Sequence, residues 1–553
     1  MRKIVRGLLF TLFLGSSLHS VLGQSLNRYF VYFSDKNASQ QTFSLGQPSD
    51  FLSQKALDRR SKESIVLDST DLPVSQQYID ALKDQNFSVF FSSNWFNGVL
   101  LQASEIQADG LNDLDFVDSV RLVAKGSRLV ENPQIPNAPE SFESPKEVYG
   151  DTEIQLKMLG AELMHQDGIK GNGTLLAVFD NGFTGVNRYS PFEQLWNKDQ
   201  IKYTKDFVEN SGDVFQFGSH GTSVLSTIGA SFSNDTMQYN GIATESDFVL
   251  CVTEDNQGEN TIEEYNWVFA AEYADSLGVD IINSSLGYRT FDIDEHDYTT
   301  DDLDGNTSII TKAAELAARK GIVVVTSAGN SGRRVSPQNL ISHPGDADSI
   351  LVVGSVDPNF QRSDFSSVGP TTDGRIKPDV CAFGNGTALV RGNGDIERGG
   401  GTSFAAPLIA GFAAGILQAN PGWGSQQLIS AIKNSGHNSN PNSQIGHGVP
   451  NYTYAVNGSI RVLQIDDILA QKVTVYPNPF SGNELKIRSK SSLKSKLQVE
   501  VMDSNGQVLY REEYGKKELK NELVLKLDSV QPGLYYLILQ TKESRNVVKL
   551  INF

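Results

Sequence analysis

Runs of β-branched and aromatic residues alternate with stretches of helical spacing through most of this chain, and beyond residue 471 only the strand-like rhythm continues. In residues 24–130, Tyr29–Phe33 (YFVYF), Phe87–Phe91, Asn97–Leu101 and Phe116–Val123 read as strands. Phe51–Lys62 and Val74–Lys83 place apolar side chains at helical intervals. This pattern predicts a small α/β sandwich. Residues 131–149 carry few apolar side chains, and four prolines fall between Glu131 and Pro145, which predicts an exposed, cuttable linker.

Between residues 150 and 455 strands and helices alternate again. Thr174–Phe179, Phe248–Val252, Gly321–Thr326 (GIVVVT), Ile350–Ser355 (ILVVGS) and Pro378–Ala382 are apolar runs. Of these, GIVVVT and ILVVGS have the continuous β-branched character of strands buried on both faces. Ser308–Arg319 and Thr402–Gln418 read as amphipathic helices, the second stopped by Pro421. The rhythm predicts an α/β fold built on a doubly wound, mainly parallel sheet, whose ligands belong at the carboxyl ends of the strands. Asp180 and Asn330 each follow an apolar run, which fits that placement. Residues 456–471 form a second linker. Residues 472–553 carry short alternating runs at Lys472–Tyr476, Leu497–Met502, Leu523–Leu527, Leu534–Leu539 and Val547–Ile551, which predict a β-sandwich.

A length of 553 residues exceeds one core and suits about three or four domains. The net charge of −18 is uneven. The segment from Lys472 onward is rich in Lys and Arg while the body is strongly acidic, so the C-terminal part reads as a separate module and nucleic acid is excluded as a partner. At the start, Arg2, Lys3 and Arg6 precede the apolar Leu8–Leu14, and Val21-Leu22-Gly23 makes a partial small-residue cleavage site. Residues 1–23 therefore read as a secretory signal peptide; the run is well short of the roughly 20 residues a spanning helix needs. Cys251 and Cys381 lie in apolar strand-like runs and read as buried thiols, with a mutual disulfide left open.

Four glycine-flanked segments carry candidate chemistry, in chain order: Val178–Gly182 (VFDNG), Gly218–Thr222 (GSHGT), Ser327–Asn330 (SAGN) and Gly401–Pro407 (GTSFAAP). They supply an acid, an imidazole, an amide and a hydroxyl. A serine hydroxyl is a weak nucleophile that needs a base, and the base needs a third group to orient it. Ser403 is the candidate nucleophile. It follows Gly399, Gly400 and Gly401, and it opens an apolar helix whose positive end favours a developing anion. His220 is the candidate base, Asp180 its orienting acid, and Asn330 a donor to an oxyanion beside the Ser403 N–H. Each has a bland alternative, such as a helix cap at Thr402 or Ser403, or a turn at Asp180 or Asn330. Four together, in this order, outweigh those alternatives.

These segments resemble the subtilisin-like serine proteases, whose triad runs Asp, His, Ser along the chain. Asp180-Asn181-Gly182, His220-Gly221-Thr222 and Gly401–Pro407 match that family's motifs, and Ala328-Gly329-Asn330 matches its oxyanion asparagine. Ile282–Gly287 resembles the strand that pairs with extended substrate, and Asp373–Asp379 is a further recurring stretch. The resemblance implies a secreted serine endopeptidase with catalytic Asp180, His220, Ser403 and Asn330, and with Ser285, Leu286, Gly287, Ala328 and Gly329 contacting substrate. It implies protein or peptide substrates, no catalytic cofactor, and an N-terminal propeptide that inhibits until cut. A monomer is expected. A binding protein with an idle protease fold is the rival reading; no member of the triad is missing to favour it.

Two departures from the family pattern stand out. Ser223 stands where many relatives carry a second His, and Phe404 follows the nucleophile where many carry Met. Without a thioether to oxidise, activity is expected to survive mild peroxide. The acidic stretch Arg289–Asn306 suggests structural calcium, which many subtilases bind. The favoured reading is a solvated insertion with Asn306 or Thr307 capping the next helix. Val475–Phe480, Pro532–Tyr535 and Val548–Leu550 resemble the sorting domain of type IX secretion cargo in Bacteroidetes-like bacteria. That implies the type IX machinery as a partner, and export across both membranes of a Gram-negative cell to the surface or the medium.

Overall fold

The computed structural model describes residues 26–37, 42–126, 142–143, 152–234, 238–458, 473–476, 484–489, 496–503, 508–515, 522–527, 530–531, 533–540 and 545–552. The signal segment, most of both linkers, Pro477–Phe480 and Pro532 lie outside the described residues.

The N-terminal unit runs β1 (Asn27–Phe33), α1 (Gln54–Lys62), α2 (Gln76–Asp84), β2 (Ser88–Ser93), β3 (Gly98–Ala103), α3 (Glu105–Leu111) and β4 (Val117–Ala124). Its antiparallel sheet has the order β2-β3-β1-β4. The unbroken apolar run in β1 has a physical reason, because both faces of this sheet are buried. Tyr29, Val31 and Phe33 pack on Leu82 and Leu111 of the unit's own helices. Phe30 points the other way, into the central unit, and stacks on Tyr265 at 4.5 Å between ring centroids. Helix α3 escapes the periodicity reading, but a capping box of Ser104 and Gln107 fixes its start. Of the first linker, Glu143 forms a bridge with Tyr189: its N–H donates to the Arg188 carbonyl at 2.8 Å.

The central unit opens with α4 (Glu153–Leu159), α5 (Ala161–Gln166), β5 (Leu175–Asp180), α6 (Glu193–Asn197), β6 (Ile201–Asp206) and α7 (His220–Gly229). A small hairpin of β7 (Ser231–Ser233) and β8 (Gln238–Asn240) precedes β9 (Asp247–Val252), α8 (Ile262–Leu277), β10 (Ile281–Ser284), α9 (Ile309–Arg319), β11 (Val323–Ser327), β12 (Leu351–Val356) and β13 (Val380–Phe383). The ribbon β14 (Asn385–Val390) and β15 (Ile396–Gly400) then leads to α10 (Thr402–Ala419), α11 (Ser425–Asn434) and α12 (Tyr452–Ala455). Seven parallel strands form one sheet in the order β13-β12-β11-β10-β5-β9-β6. One face is covered by α7 and α10, the other by α8 and α9. This is the doubly wound arrangement expected from the strand–helix rhythm.

Two helix expectations are corrected. Thr402–Gln418 is not amphipathic: every residue of α10 from Thr402 to Leu417 is buried, because it crosses under α7 against the sheet. Its length and apolarity would suit a membrane span, but it lies inside the protein. The cap of α9 is neither Asn306 nor Thr307 but Ser308, whose side chain accepts the Thr311 N–H. Cys251 and Cys381 are buried and free, in the cores on opposite faces of the sheet, so no disulfide joins them.

The C-terminal module consists of β16 (Val473–Tyr476), β17 (Glu484–Ser489), β18 (Leu497–Asp503), β19 (Val508–Tyr514), β20 (Glu522–Lys526), β21 (Gly533–Gln540) and β22 (Arg545–Asn552). Sheets β16-β17-β20 and β19-β18-β21-β22 share one core, with Leu485, Ile487 and Leu525 on one side and Val499, Val501 and Leu537 on the other. Two strands were not read from the pattern. In β19 (VLYREEY) the reason is plain: it is an edge strand with mostly exposed side chains, so alternation is weak.

Candidate active site

Asp180 closes β5 in the middle of the parallel sheet, opposite Val252 of β9. The loops after β5, β10 and β11 collect at this carboxyl-end edge. His220 is the first residue of α7, and backbone contact brings that helix to Asp180. A Cβ at Gly218 would stand 2.2 Å from the Asn181 side chain, and one at Gly221 would meet the Gly182 carbonyl at 2.6 Å. The glycines around His220 therefore serve close packing of two backbones; keeping the imidazole uncovered is not their task.

The His220 Nδ1 lies 2.9 and 3.0 Å from the two carboxylate oxygens of Asp180. Asp180 is fully buried, while the imidazole stays 33% exposed. The Asn181 side chain accepts the His220 N–H at 3.1 Å and anchors the start of α7. Burial pulls the imidazole pKa down, but the Asp180 charge and hydrogen bond more than reverse this, so His220 stands above the ordinary histidine value.

Ser403 lies in the first turn of α10 and is 9% exposed. Neither Thr402 nor Ser403 caps this helix; the N-cap is Gly401. The Ser403 hydroxyl donates to the Ser285 carbonyl at 3.3 Å, and the Ser285 hydroxyl returns a bond to the Ser403 carbonyl at 2.8 Å. Among the described residues no hydrogen bond joins Ser403 to His220. A 3.3 Å O–H···O bond is long and weak, and such contacts commonly tighten only when substrate is bound. The ring of Phe404, next in the chain, lies 5.5 Å from that of His220. Asn330 follows β11. Its side-chain oxygen accepts both the Thr402 N–H at 2.9 Å and the Thr402 hydroxyl at 3.0 Å. With the oxygen so engaged, the amide presents its N–H groups as donors.

Only part of Ile282–Gly287 is free to meet substrate. Ile281–Ser284 is the interior strand β10, hydrogen-bonded on both sides, and Ser285, Leu286 and Gly287 lie beyond the sheet. Gly329 lines the cleft, but Ala328 is buried and its N–H is used by the Val353 carbonyl at 3.0 Å. Two cavities meet here. One, of about 310 Å³, is lined by Asp180, His220, Glu254 and Glu263; the other, of about 490 Å³, by Ser403, Asn330, Arg289 and Arg334; Leu286 and Glu259 border both. Burial and carboxylate neighbours push Glu254 up to about 8 and Glu263 up to about 10. The sequence reading missed the positioning residues Asn181 and Thr402, and also Glu254, Arg289 and Arg334. The first two stand inside the quoted motifs; the others reach the cleft from loops with no local signal.

Three carboxylates of the acidic loop are held by the loop's own donors. Asp302 is bound by the Thr299 N–H and hydroxyl, Asp304 by the Asn306 and Thr307 N–H groups, and Asp297 by the Phe291 N–H. Among the described residues no three His, Cys, Asp or Glu converge as ligands.

The sequence pattern of the Subtilase family matches residues 171–448. Those of the Peptidase S8 propeptide domain of Bacteroidota and of the Secretion system C-terminal sorting domain match residues 28–138 and 474–552. Subtilisin from Bacillus pumilus is 30% identical over 289 residues, covering 52% of this chain and 90% of that protein. Alkaline elastase YaB from Bacillus sp. (strain YaB) is 25% identical over 394 residues, covering 71% of this chain and 90% of that protein. The match to subtilisin NAT from Bacillus subtilis subsp. natto, 30% identical, covers 52% of this chain and 65% of that protein. The epidermin leader peptide processing serine protease from Staphylococcus aureus superposes with a TM-score of 0.53 at 17% identity, over 80% of this chain and 100% of that one, a likeness of fold. The chain belongs to the subtilase family. It is a subtilisin-type serine endopeptidase with an N-terminal propeptide domain and a C-terminal sorting domain for type IX secretion.

Proposed function

We propose that this enzyme hydrolyses peptide bonds through an acyl-enzyme on Ser403. The observation that carries this reading is the buried Asp180 carboxylate holding His220 Nδ1 at 2.9 Å, with the His220 ring 5.5 Å from that of Phe404, the residue after Ser403. With Nδ1 held, the other ring nitrogen is free to act as base. His220 takes the proton of the Ser403 hydroxyl as its oxygen attacks the scissile carbonyl, then returns it to the leaving amine. Water repeats the sequence to release the acid. Asn330 and the Ser403 N–H stabilise the tetrahedral oxyanion. Asn330→Ala is expected to lower kcat by about 10²–10³, the loss known for removal of one such donor from subtilisin. Ser285–Gly287 and Gly329 hold the substrate backbone.

The same proposal covers the rest of the chain. Residues 1–23 direct export, 24–130 fold with and inhibit the enzyme, and the linker 131–149 is cut. Residues 150–455 form the peptidase, and 472–553, after the linker 456–471, engage the type IX machinery for passage across the outer membrane. The mature enzyme acts as a monomer and needs no cofactor. The deciding experiment is fluorophosphonate labelling of the mature protein beside Ser403→Ala. Labelling of the wild type alone is expected. No labelling of folded, propeptide-free protein would remove the catalytic reading and leave an idle protease fold.

A further inference from the structure

The carbonyl that Ser403 attacks must sit between Ser403 and Asn330. The side chain of the residue supplying that carbonyl then enters the cavity that both of them line. At about 490 Å³ this cavity has room for a large side chain, and its wall includes Leu286 and the hydroxyl-bearing Ser331, Ser342 and Ser367. Two cations also line it.

Arg289 is half-buried, with its guanidinium donating to the Pro337 carbonyl at 3.3 Å and the Thr300 hydroxyl at 3.2 Å, both neutral partners. Arg334 follows Asn330 closely and is set by a turn in which its N–H donates to the Ser331 carbonyl at 2.8 Å. Burial, then the charge of Arg334, hold the Arg289 guanidinium below its ordinary pKa. Among the described residues neither arginine has a carboxylate within 4.0 Å. Two carboxylates line the same cavity: Glu259, which burial and the charge of Asp292 push up to about 7, and Asp292 itself. Glu254 and Glu263 line the other cavity, against His220. Asp292 is turned to the Glu259 N–H and the Asn260 amide at 3.1 and 3.4 Å. Two arginines that line one cavity, neither of them paired with a carboxylate, suit an incoming one, which their planar forks can grip through paired N–H groups.

We infer that this cavity receives an anionic side chain, so that the enzyme cuts preferentially after glutamate or aspartate, an inference that rests on the Ser403 reading above. Leu286 contacts the methylene groups, while Arg289 and Arg334 meet the carboxylate. A cationic side chain in the same place faces like charge.

The test uses mature enzyme, with active sites counted by the fluorophosphonate, and peptides that differ only in the residue before the scissile bond. Kcat/KM for the Glu peptide is expected to exceed that for the isosteric Gln peptide by about tenfold. Added salt should shrink the ratio. Arg334→Gln should bring the ratio toward one, mainly through KM, and Arg334→Lys should keep much of it. Equal turnover of Glu and Gln peptides by labelled enzyme, or a preference for Leu, overturns the inference alone. A preference for Lys overturns it too, and moves selectivity to Glu259 and Asp292. Absence of labelling overturns the Ser403 reading and this one with it.

Discussion

His220 binds its proton more tightly than a free histidine even though it is largely desolvated, because Asp180 faces it with a full carboxylate. The base must be neutral to accept the Ser403 proton. Kcat/KM should therefore climb as pH rises, with a midpoint above the ordinary value of 6.5. In Asp180→Asn the raising charge is gone and the midpoint should fall; a midpoint that stays put would leave Asp180 without its assigned role. Phe404 gives a second prediction. It stands beside His220 with the Arg391 guanidinium 5.9 Å over its ring, and it offers no sulfur to oxidise. Activity should persist in mild peroxide, and Phe404→Met should introduce sensitivity. Equal rapid loss in both proteins would place the oxidised group elsewhere. The four chemical groups could be picked out of the chain because each sits in a short glycine-bearing motif. Thr402 stood in one of those motifs too, but its grip on the Asn330 oxygen depends on two loops meeting, and spacing alone says nothing of that.

Helices α1 and α8 meet across an unusually polar contact between the N-terminal and central units. Arg59 and Arg60 of α1 both reach Asp275 of α8, Arg60 also pairs with Asp71 at 2.7 Å, and Lys320 pairs with Asp71 at 2.8 Å. All five side chains are buried, so removing one partner strands a charge, which costs about 3–5 kcal/mol. Asp275→Ala should lower the Tm of the uncleaved precursor markedly and that of the mature enzyme much less. An equal fall in both would show that the contact does not hold the two units together. The surrounding apolar contacts, among them Phe30 on Tyr265 and Phe91 on Phe269, explain why β1 reads as apolar on both faces. Strand-like runs were readable in most strands buried on both faces, although Ile281–Ser284, short and ending in Asn-Ser, was marked only by the family resemblance. The all-buried α10 gives the converse lesson: a helix wrapped by protein on every side loses the periodicity that defines amphipathic helices.

At the level of the assembled chain, three carboxylates of the acidic loop after β10, those of Asp297, Asp302 and Asp304, accept the loop's own backbone N–H groups. EDTA should accordingly leave the Tm of the mature enzyme where it was. A clear downward shift, reversed by calcium, would mean that oxygen ligands gather in a way the fold as described does not show. The sequence by itself determined the succession of units, the parallel sheet with helices on both faces, and the identities of the acid, imidazole, amide and hydroxyl. Periodicity and motif chemistry are local properties, written within a few residues. Only the tertiary structure decided which segments share the cleft: Glu254 and Glu263 against His220, Arg289 and Arg334 beside Ser403, and Ser285 rather than His220 as the partner of the Ser403 hydroxyl. Those meetings join loops far apart in the chain, and their outcome depends on loop path and packing, for which no short stretch of sequence carries a signal.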